Sequence, residues 1–274
     1  MAGHLLKSGK TVVVWNRTAG KADSLEERGC VVAENLADLA NQCDTVFICV
    51  NRTEDVGECL DKMVASARTN ALFVDHSTIS PMGALAFHDK LKSAGFRFVD
   101  APVTGGSMGA EKGLLTIFCG GAEADIEEAR PLLGCYAKRA ERVGGPGSGQ
   151  MAKLANQIAV GGALLALCES LSFAKKAGLD VALIREMVGG GAGGSWAFEN
   201  YGPKILAQDW SPGFSVKNQR KDFGYCLEAA ENIDAPLPGI ELTDRLLSLL
   251  EDEGRGEQTT AALYEVLLRM GSKG

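Results

Sequence analysis

The sequence predicts an α/β chain in two parts: a doubly wound parallel sheet with helices on both faces, then an all-helical second half. Two observations carry this reading. Through the first 145 residues, short apolar runs alternate with amphipathic stretches, the pattern of buried parallel strands joined by helices. After the joint Gly144-Gly-Pro-Gly-Ser-Gly149 the strand-like runs stop, and long helix-compatible stretches take over. With 274 residues, 46% of them hydrophobic, the chain can bury two cores, and the domains are expected at 1–145 and 146–274.

Each element follows from its local pattern. Met1 to Lys7 reads as the later part of a helix. Thr11 to Trp15 is a β-branched strand, Ala22 to Arg28 a helix that Gly29 can end, and Cys30 to Ala33 the next extended run. A helix near Leu36 to Asn41 precedes the fully apolar strand Thr45 to Val50. Val56 to Val64 is helical, Leu72 to Asp75 extended, and Pro81 suits the first turn of a helix reaching Ser93. Strands Phe96 to Asp100 and Leu115 to Gly120, with a helix from Asp125 to Leu133, complete the sheet. Beyond the joint, helices are expected at Met151 to Lys176, Val181 to Val188, Leu227 to Glu231, Glu241 to Glu251 and Thr259 to Met270.

Composition excludes several roles. A net charge of -7 without a long Lys/Arg block argues against a nucleic-acid or anionic-membrane partner. The eight cysteines form no C-x-x-C pair, and Cys49 and Cys119 lie in apolar runs, so they read as reduced packing residues of a cytoplasmic protein. Three dispersed histidines offer no zinc site. No apolar run of membrane-spanning length and no signal peptide is evident.

The chemistry is expected at strand ends. Asn16-Arg17-Thr18 follows a strand where a dinucleotide-binding sheet would carry either an acid for the ribose of NAD or an arginine for the 2′-phosphate of NADP. The acid is missing, and Arg17 with Thr18 suits a phosphate. An ordinary polar turn is the alternative. Asp100-Ala-Pro-Val-Thr-Gly-Gly106 offers the Thr104 hydroxyl and the Gly105 and Gly106 amides to a substrate carboxylate, or is simply a turn. In Gly147-Ser-Gly149-Gln-Met-Ala-Lys153-Leu-Ala-Asn156 a lysine and a carboxamide stand three residues apart on one helical face. A partly buried lysine there can exchange protons with a substrate; a solvated helix lysine is the alternative. Lys221-Asp222 reads either as part of a site or as a solvated helix start. Ser195, Trp196 and Asn200 are candidates to shape a pocket. The literal Gly-x-Gly-x-x-Gly match at Gly189–Gly194 follows a helix, not a strand, and is discounted.

In order and spacing these motifs resemble the β-hydroxyacid dehydrogenases, relatives of 3-hydroxyisobutyrate dehydrogenase and the semialdehyde reductases. Asp100 to Gly106 matches the family's Asp-Ala-Pro-Val-Ser/Thr-Gly-Gly, and Gly147, Gly149, Lys153 and Asn156 match its Gly-x-Gly-x-x-x-Lys-x-x-Asn. Lys221 and Asp222 match its later Lys-Asp pair. The resemblance implies a Rossmann-type first domain, a helical substrate and dimerisation domain, and a dimer or tetramer. It implies reversible hydride transfer between NADP, or NAD, and a short semialdehyde or its hydroxy acid. Lys153 would be the general acid/base, Thr104, Gly105, Gly106 and Asn156 would bind substrate, and Asn16, Arg17, Thr18, Val50, Asn51, Thr78 and Lys221 would lie on the cofactor. The Asn-Arg-Thr turn is similar to that of the NADPH-using glyoxylate/succinic semialdehyde reductases. By the same resemblance Met1 falls within the family's first helix, so the first strand and Gly-rich loop are expected to be absent. An inactive or non-enzymatic NADP-binding homologue is the alternative.

Overall fold

In the computed structural model residues 1–18 and 20–270 are described. The chain divides into two compact units, Met1–Lys153 and Leu154–Gly274. In the first, α1 (Ala2–Lys7), β1 (Val13–Val14), α2 (Asp23–Glu26), β2 (Val31–Val32), α3 (Leu36–Gln42), β3 (Thr45–Ile48), α4 (Thr53–Met63), β4 (Leu72–Asp75), α5 (Pro81–Ser93) and β5 (Arg97–Asp100) follow in order. Local chemistry sets their ends. The Asn35 side chain accepts from the Asp38 amide to open α3, and Pro81 occupies the first turn of α5.

Strands β3, β4 and β5 pair in parallel, Thr45 beside Leu72 and Leu72 beside Arg97. Because successive side chains on a strand face opposite ways, these strands feed two cores. Leu72, Val74 and Val99 join Leu5, Val12, Ile126 and Leu133 on one face. Val46, Ile48, Phe73 and Phe98 join Val56, Leu60 and Leu91 on the other. A sheet covered on both faces needs apolar side chains on both, which is why Val46-Phe-Ile48, Leu72-Phe-Val74 and Phe98-Val99 stand as consecutive apolar residues.

The wholly parallel expectation needs correcting in the second part of this unit. It comprises β6 (Val103–Thr104), α6 (Gly106–Lys112), β7 (Leu115–Gly120), α7 (Glu123–Leu133) and β8 (Ala137–Gly144). Strand β7 runs antiparallel to β5 and β6, and β8 runs parallel to β7. The path after β5 turns back at Gly105 and Gly106, and β6 pairs Thr104 with Thr116. That short return leaves no room for a full crossover helix. The sheet order is β3-β4-β5-β7-β6, with β8 also paired to β7. Strands β1 and β2 form a separate parallel pair, and among the described residues no strand pairing joins them to β3.

Helix α8 (Ser148–Lys176) starts in the first unit and continues into the second. There α9 (Val181–Gly189), α10 (Trp196–Asn200), α11 (Gly202–Ala207), α12 (Val216–Asn232), α13 (Pro238–Asp252), a 3₁₀ turn at Thr260–Ala262 and α14 (Leu263–Arg269) follow. Among the described residues the extended pairing here is an isolated Ser215–Thr259 bridge, in keeping with a helical unit. Helices α10 and α11 are too short to show a helical period, so the sequence did not reveal them. By length and composition α8 is long and apolar enough to cross a membrane, which corrects the reading that no such run exists. Its Leu154, Leu164, Leu167, Cys168 and Leu171 nevertheless sit in the core of the second unit with Phe223, Leu247 and Leu250, as in the core helix of a globular protein.

Candidate active site

The candidate lysine is placed by the start of its helix. The first N–H groups of any helix lack intrahelical partners. In α8 they are met by Asp100, the last residue of β5: the Gly147 N–H donates to Oδ1 at 2.8 Å and the Gln150 N–H to Oδ2 at 2.9 Å. The Asp100 carboxyl is 1% exposed, and burial pushes its pKa up to about 7 against the pull of those amide donors. The glycines of the motif make this approach possible. A Cβ on Gly149 would overlap the Asp100 carbonyl oxygen and stand 2.5 Å from that of Phe118; one on Gly120 would lie 2.6 Å from Asp100 Oδ1. Lys153 follows one turn later, 7% exposed, so the solvated-lysine alternative falls.

Four residues beyond Asp100, at Thr104, begins the candidate substrate turn. Gly105 (φ +127°) and Gly106 (φ +64°) adopt conformations that side chains disfavour, and this turns the chain from β6 into α6. Thr104 stands at the end of β6, partly buried. Strand β5 thus carries the cap of the lysine helix and leads directly into this turn.

The loop after β4 is the third component. Ser77 N–H donates to Asp75 Oδ1 at 2.9 Å, and Ser77 Oγ accepts from the Val50 N–H at 2.9 Å. Gln150, wholly buried, accepts from the Ile79 N–H at 3.1 Å and donates to the Ser77 carbonyl at 2.8 Å. The two loops predicted to meet the cofactor, at Val50–Asn51 and at Thr78, are therefore linked through Ser77, and Gln150 links them to the lysine helix. His76 is a framework residue. Burial depresses its pKa to about 4, and its ring bridges the Ala101 carbonyl at 2.6 Å and the Tyr136 hydroxyl at 2.7 Å.

Asn16, Arg17, Thr18, Val50 and Asn51 line one pocket of about 310 Å³ at the strand ends of the first unit, together with Trp15, Leu36 and Asp55. The Asn16 carboxamide donates to the Thr18 carbonyl at 3.0 Å and closes the turn that presents Arg17. Arg17 is 80% exposed and meets Asp55 at 3.5 Å through one nitrogen, which among the described residues leaves most of its five N–H donors facing solvent. A cavity at the strand ends with an accessible guanidinium and hydroxyl at its rim fits the adenosine end of an NAD(P) cofactor.

In the second unit the predicted residues are joined by a polar chain that is buried at Gln157 and Asp222. Asn156 donates to Gln157 Oε1 at 3.0 Å, and Gln157 donates to Asp222 Oδ2 at 2.6 Å. Asp222 pairs with Lys221 at 3.1 Å, and the Lys221 ammonium lies 5.5 Å from the centre of the Tyr225 ring. Asp222 is buried and the Lys221 side chain is 9% exposed, both inside α12, so the solvated helix-start alternative is overturned. Ser195 caps α10 by accepting from the Phe198 N–H, and Asn200 donates to the Trp196 carbonyl, which gives both a local role. Gly189–Gly194 follows α9 with no strand before it, as the discounting of that match requires.

Sequence reasoning missed Gln150, Gln157 and the capping role of Asp100. Glutamines carry no motif signal of their own. A buried amide one turn from the lysine would have been visible only as a polar residue on an otherwise apolar helix face.

Comparison with known proteins shows the family. Residues 1–145 match the family model of the NAD-binding domain of 6-phosphogluconate dehydrogenase. Residues 147–267 match the model described as NAD-binding of NADP-dependent 3-hydroxyisobutyrate dehydrogenase. A probable mitochondrial 3-hydroxyisobutyrate dehydrogenase-like protein of Arabidopsis thaliana is 39% identical over 99% of this chain and 82% of its own. The 2-hydroxy-3-oxopropionate reductase of Escherichia coli is 33% identical over 92% of this chain and 87% of its own. Among solved structures, the 3-hydroxyisobutyrate dehydrogenase of Mycobacterium tuberculosis with L-serine superposes with a TM-score of 0.88 at 27% identity, covering 97% of this chain and 94% of that one. The chain belongs to the 3-hydroxyisobutyrate dehydrogenase family of NAD(P)-dependent hydroxyacid oxidoreductases.

Proposed function

We propose that the chain interconverts a short semialdehyde and its hydroxy acid with NADP(H), using Lys153 as general acid and base. The observation that carries this reading is the buried Lys153 side chain, one turn into a helix whose start is fixed by Asp100. When bound, NADPH supplies the hydride. Thr104 Oγ1 and the Gly105 and Gly106 N–H groups hold the substrate carboxylate, and Asn156 orients the reacting oxygen. Lys153, as ammonium, gives its proton to the developing alkoxide; in the oxidative direction its neutral amine takes the proton back. The similarity to a 2-hydroxy-3-oxopropionate reductase supports a substrate with an aldehyde near a carboxylate.

For the cofactor, Asn16, Arg17 and Thr18 take the 2′-phosphate end, Val50 and Asn51 pass beneath it, and Thr78 and Lys221 approach the nicotinamide end. The units are assigned as a cofactor domain and a helical domain for substrate and self-association. Exposed Phe173, Leu183 and Met187 support a dimer or tetramer. The eight free cysteines support a reducing compartment such as the cytoplasm.

The test is cofactor discrimination. Arg17→Asp is expected to weaken NADPH binding by about 10-fold or more while changing NADH binding little, since it exchanges a phosphate-binding cation for an anion. Equal losses for both cofactors in a fluorescence titration would refute the phosphate role. One observation favours a second reading, a non-enzymatic homologue: among the described residues β1 and β2 pair apart from the main sheet. NADPH that binds without any turnover of short semialdehydes would support it.

A further inference from the structure

Gln150 occupies a position that neither proton transfer nor cofactor contact accounts for. It lies in the first turn of α8, three residues before Lys153 and adjacent to it on the helix surface. Its side chain is wholly buried and makes two hydrogen bonds of opposite sense. Oε1 accepts from the Ile79 N–H at 3.1 Å, and Nε2 donates to the Ser77 carbonyl at 2.8 Å. These two partners flank Thr78. Ser77 in turn holds the Val50 N–H through its hydroxyl. The Gln150 backbone N–H donates to Asp100 Oδ2 at 2.9 Å, so the turn is fixed on two sides.

The chemistry of this position is narrow. A carboxamide of this length supplies a donor and an acceptor together at any pH, whereas a carboxyl group does so only when protonated. A leucine fills the space and satisfies neither backbone group, while an ionised glutamate places a carboxylate oxygen against the Ser77 carbonyl. We propose that Gln150 is a positioning residue for Lys153. It sets the register of the lysine's helical turn against the Ser77–Ile79 loop, so that proton donor and cofactor-facing loops hold one geometry. The inference rests on the reading of Lys153 as the proton donor, because only then does register matter for the rate. Small displacements of a reacting group cost large factors in rate.

The experiment compares Gln150→Leu and Gln150→Glu with the wild-type chain. Gln150→Leu is expected to lower kcat about 10- to 100-fold per NADPH-binding site, with the Kd for NADPH within about threefold. In the cofactor-free protein, amide hydrogen exchange at Ile79 and over 147–151 is expected to quicken about 10-fold. Gln150→Glu adds a signature that a purely structural role would not give. As a neutral acid it can both accept from Ile79 and donate to Ser77; as a carboxylate it cannot donate. Its kcat relative to wild type is therefore expected to fall about 10-fold as pH rises from about 5 to about 8. A Gln150→Leu kcat within twofold of wild type, or a Gln150→Glu ratio flat with pH, overturns the proposal. If Gln150→Leu does not fold, the Gln150→Glu ratio decides. A wild-type chain inactive toward every semialdehyde defeats the functional reading instead; unchanged exchange at Ile79 in Gln150→Glu would then defeat the positioning claim separately.

Discussion

At Asp100 two opposing forces act on one carboxyl group. Burial favours the neutral acid, whereas the N–H groups of Gly147 and Gln150 favour the carboxylate, and burial prevails to leave the pKa at about 7. The unfolded reference is 3.8, so between about pH 4 and 7 the folded chain holds a proton that the unfolded chain has released. Stability from this group is therefore complete below pH 3.8 and lost as pH rises through 7, to a ceiling of roughly 4 kcal/mol at about 1.4 kcal/mol per pKa unit. Asn at this position stays neutral throughout. Wild type is expected to lose stability relative to Asp100→Asn by a few kcal/mol between about pH 4.5 and 8 in urea denaturation. A pH-independent difference would mean that the carboxyl titrates normally. The sequence marked Asp100 as part of a motif. It did not show that the side chain caps a helix 47 residues away, because capping between distant segments leaves no local pattern.

Among elements, the crossing of α8 and α12 shows how tightly the second unit is specified. A Cβ on Gly161 would stand 2.5 Å from the ring of Phe223 and 3.0 Å from Ile240, both fully packed, whereas Gly162 faces open space. Gly161→Ala is expected to destabilise by about 1–2 kcal/mol, overpacking of roughly 1–3 kcal/mol outweighing a helix-propensity gain of up to about 1 kcal/mol. Gly162→Ala gains the propensity alone and is expected to stabilise by up to about 1 kcal/mol. Urea midpoints of the two variants check the pair, and equal effects would contradict the close crossing. Strands β3, β4 and β5 were legible because both their faces are buried. Strand β8 was not: its Lys138, Arg139, Glu141 and Arg142 are exposed and give no apolar signal. The antiparallel course of β7 was hidden too, since an apolar run does not reveal its direction.

For the whole molecule, the two-unit plan was legible from the switch between alternating and helical patterns, and the family from motifs standing in a fixed order. What the sequence withheld was the wiring between those motifs. Gln150 couples the Ser77 loop to the lysine helix, and Gln157 couples Asn156 to Asp222, through contacts between residues 65 to 73 positions apart. Such pairings are set by the fold and have no spacing to read. The central claim is that Lys153 moves the proton while other residues hold the cofactor. The direct measurement is kcat for NADPH-dependent reduction of short semialdehydes by wild type and Lys153→Ala, with NADPH affinity titrated on the same samples. The expected result is a loss of about 10²-fold or more in kcat with the Kd for NADPH nearly unchanged. Near-normal turnover by Lys153→Ala would contradict the claim.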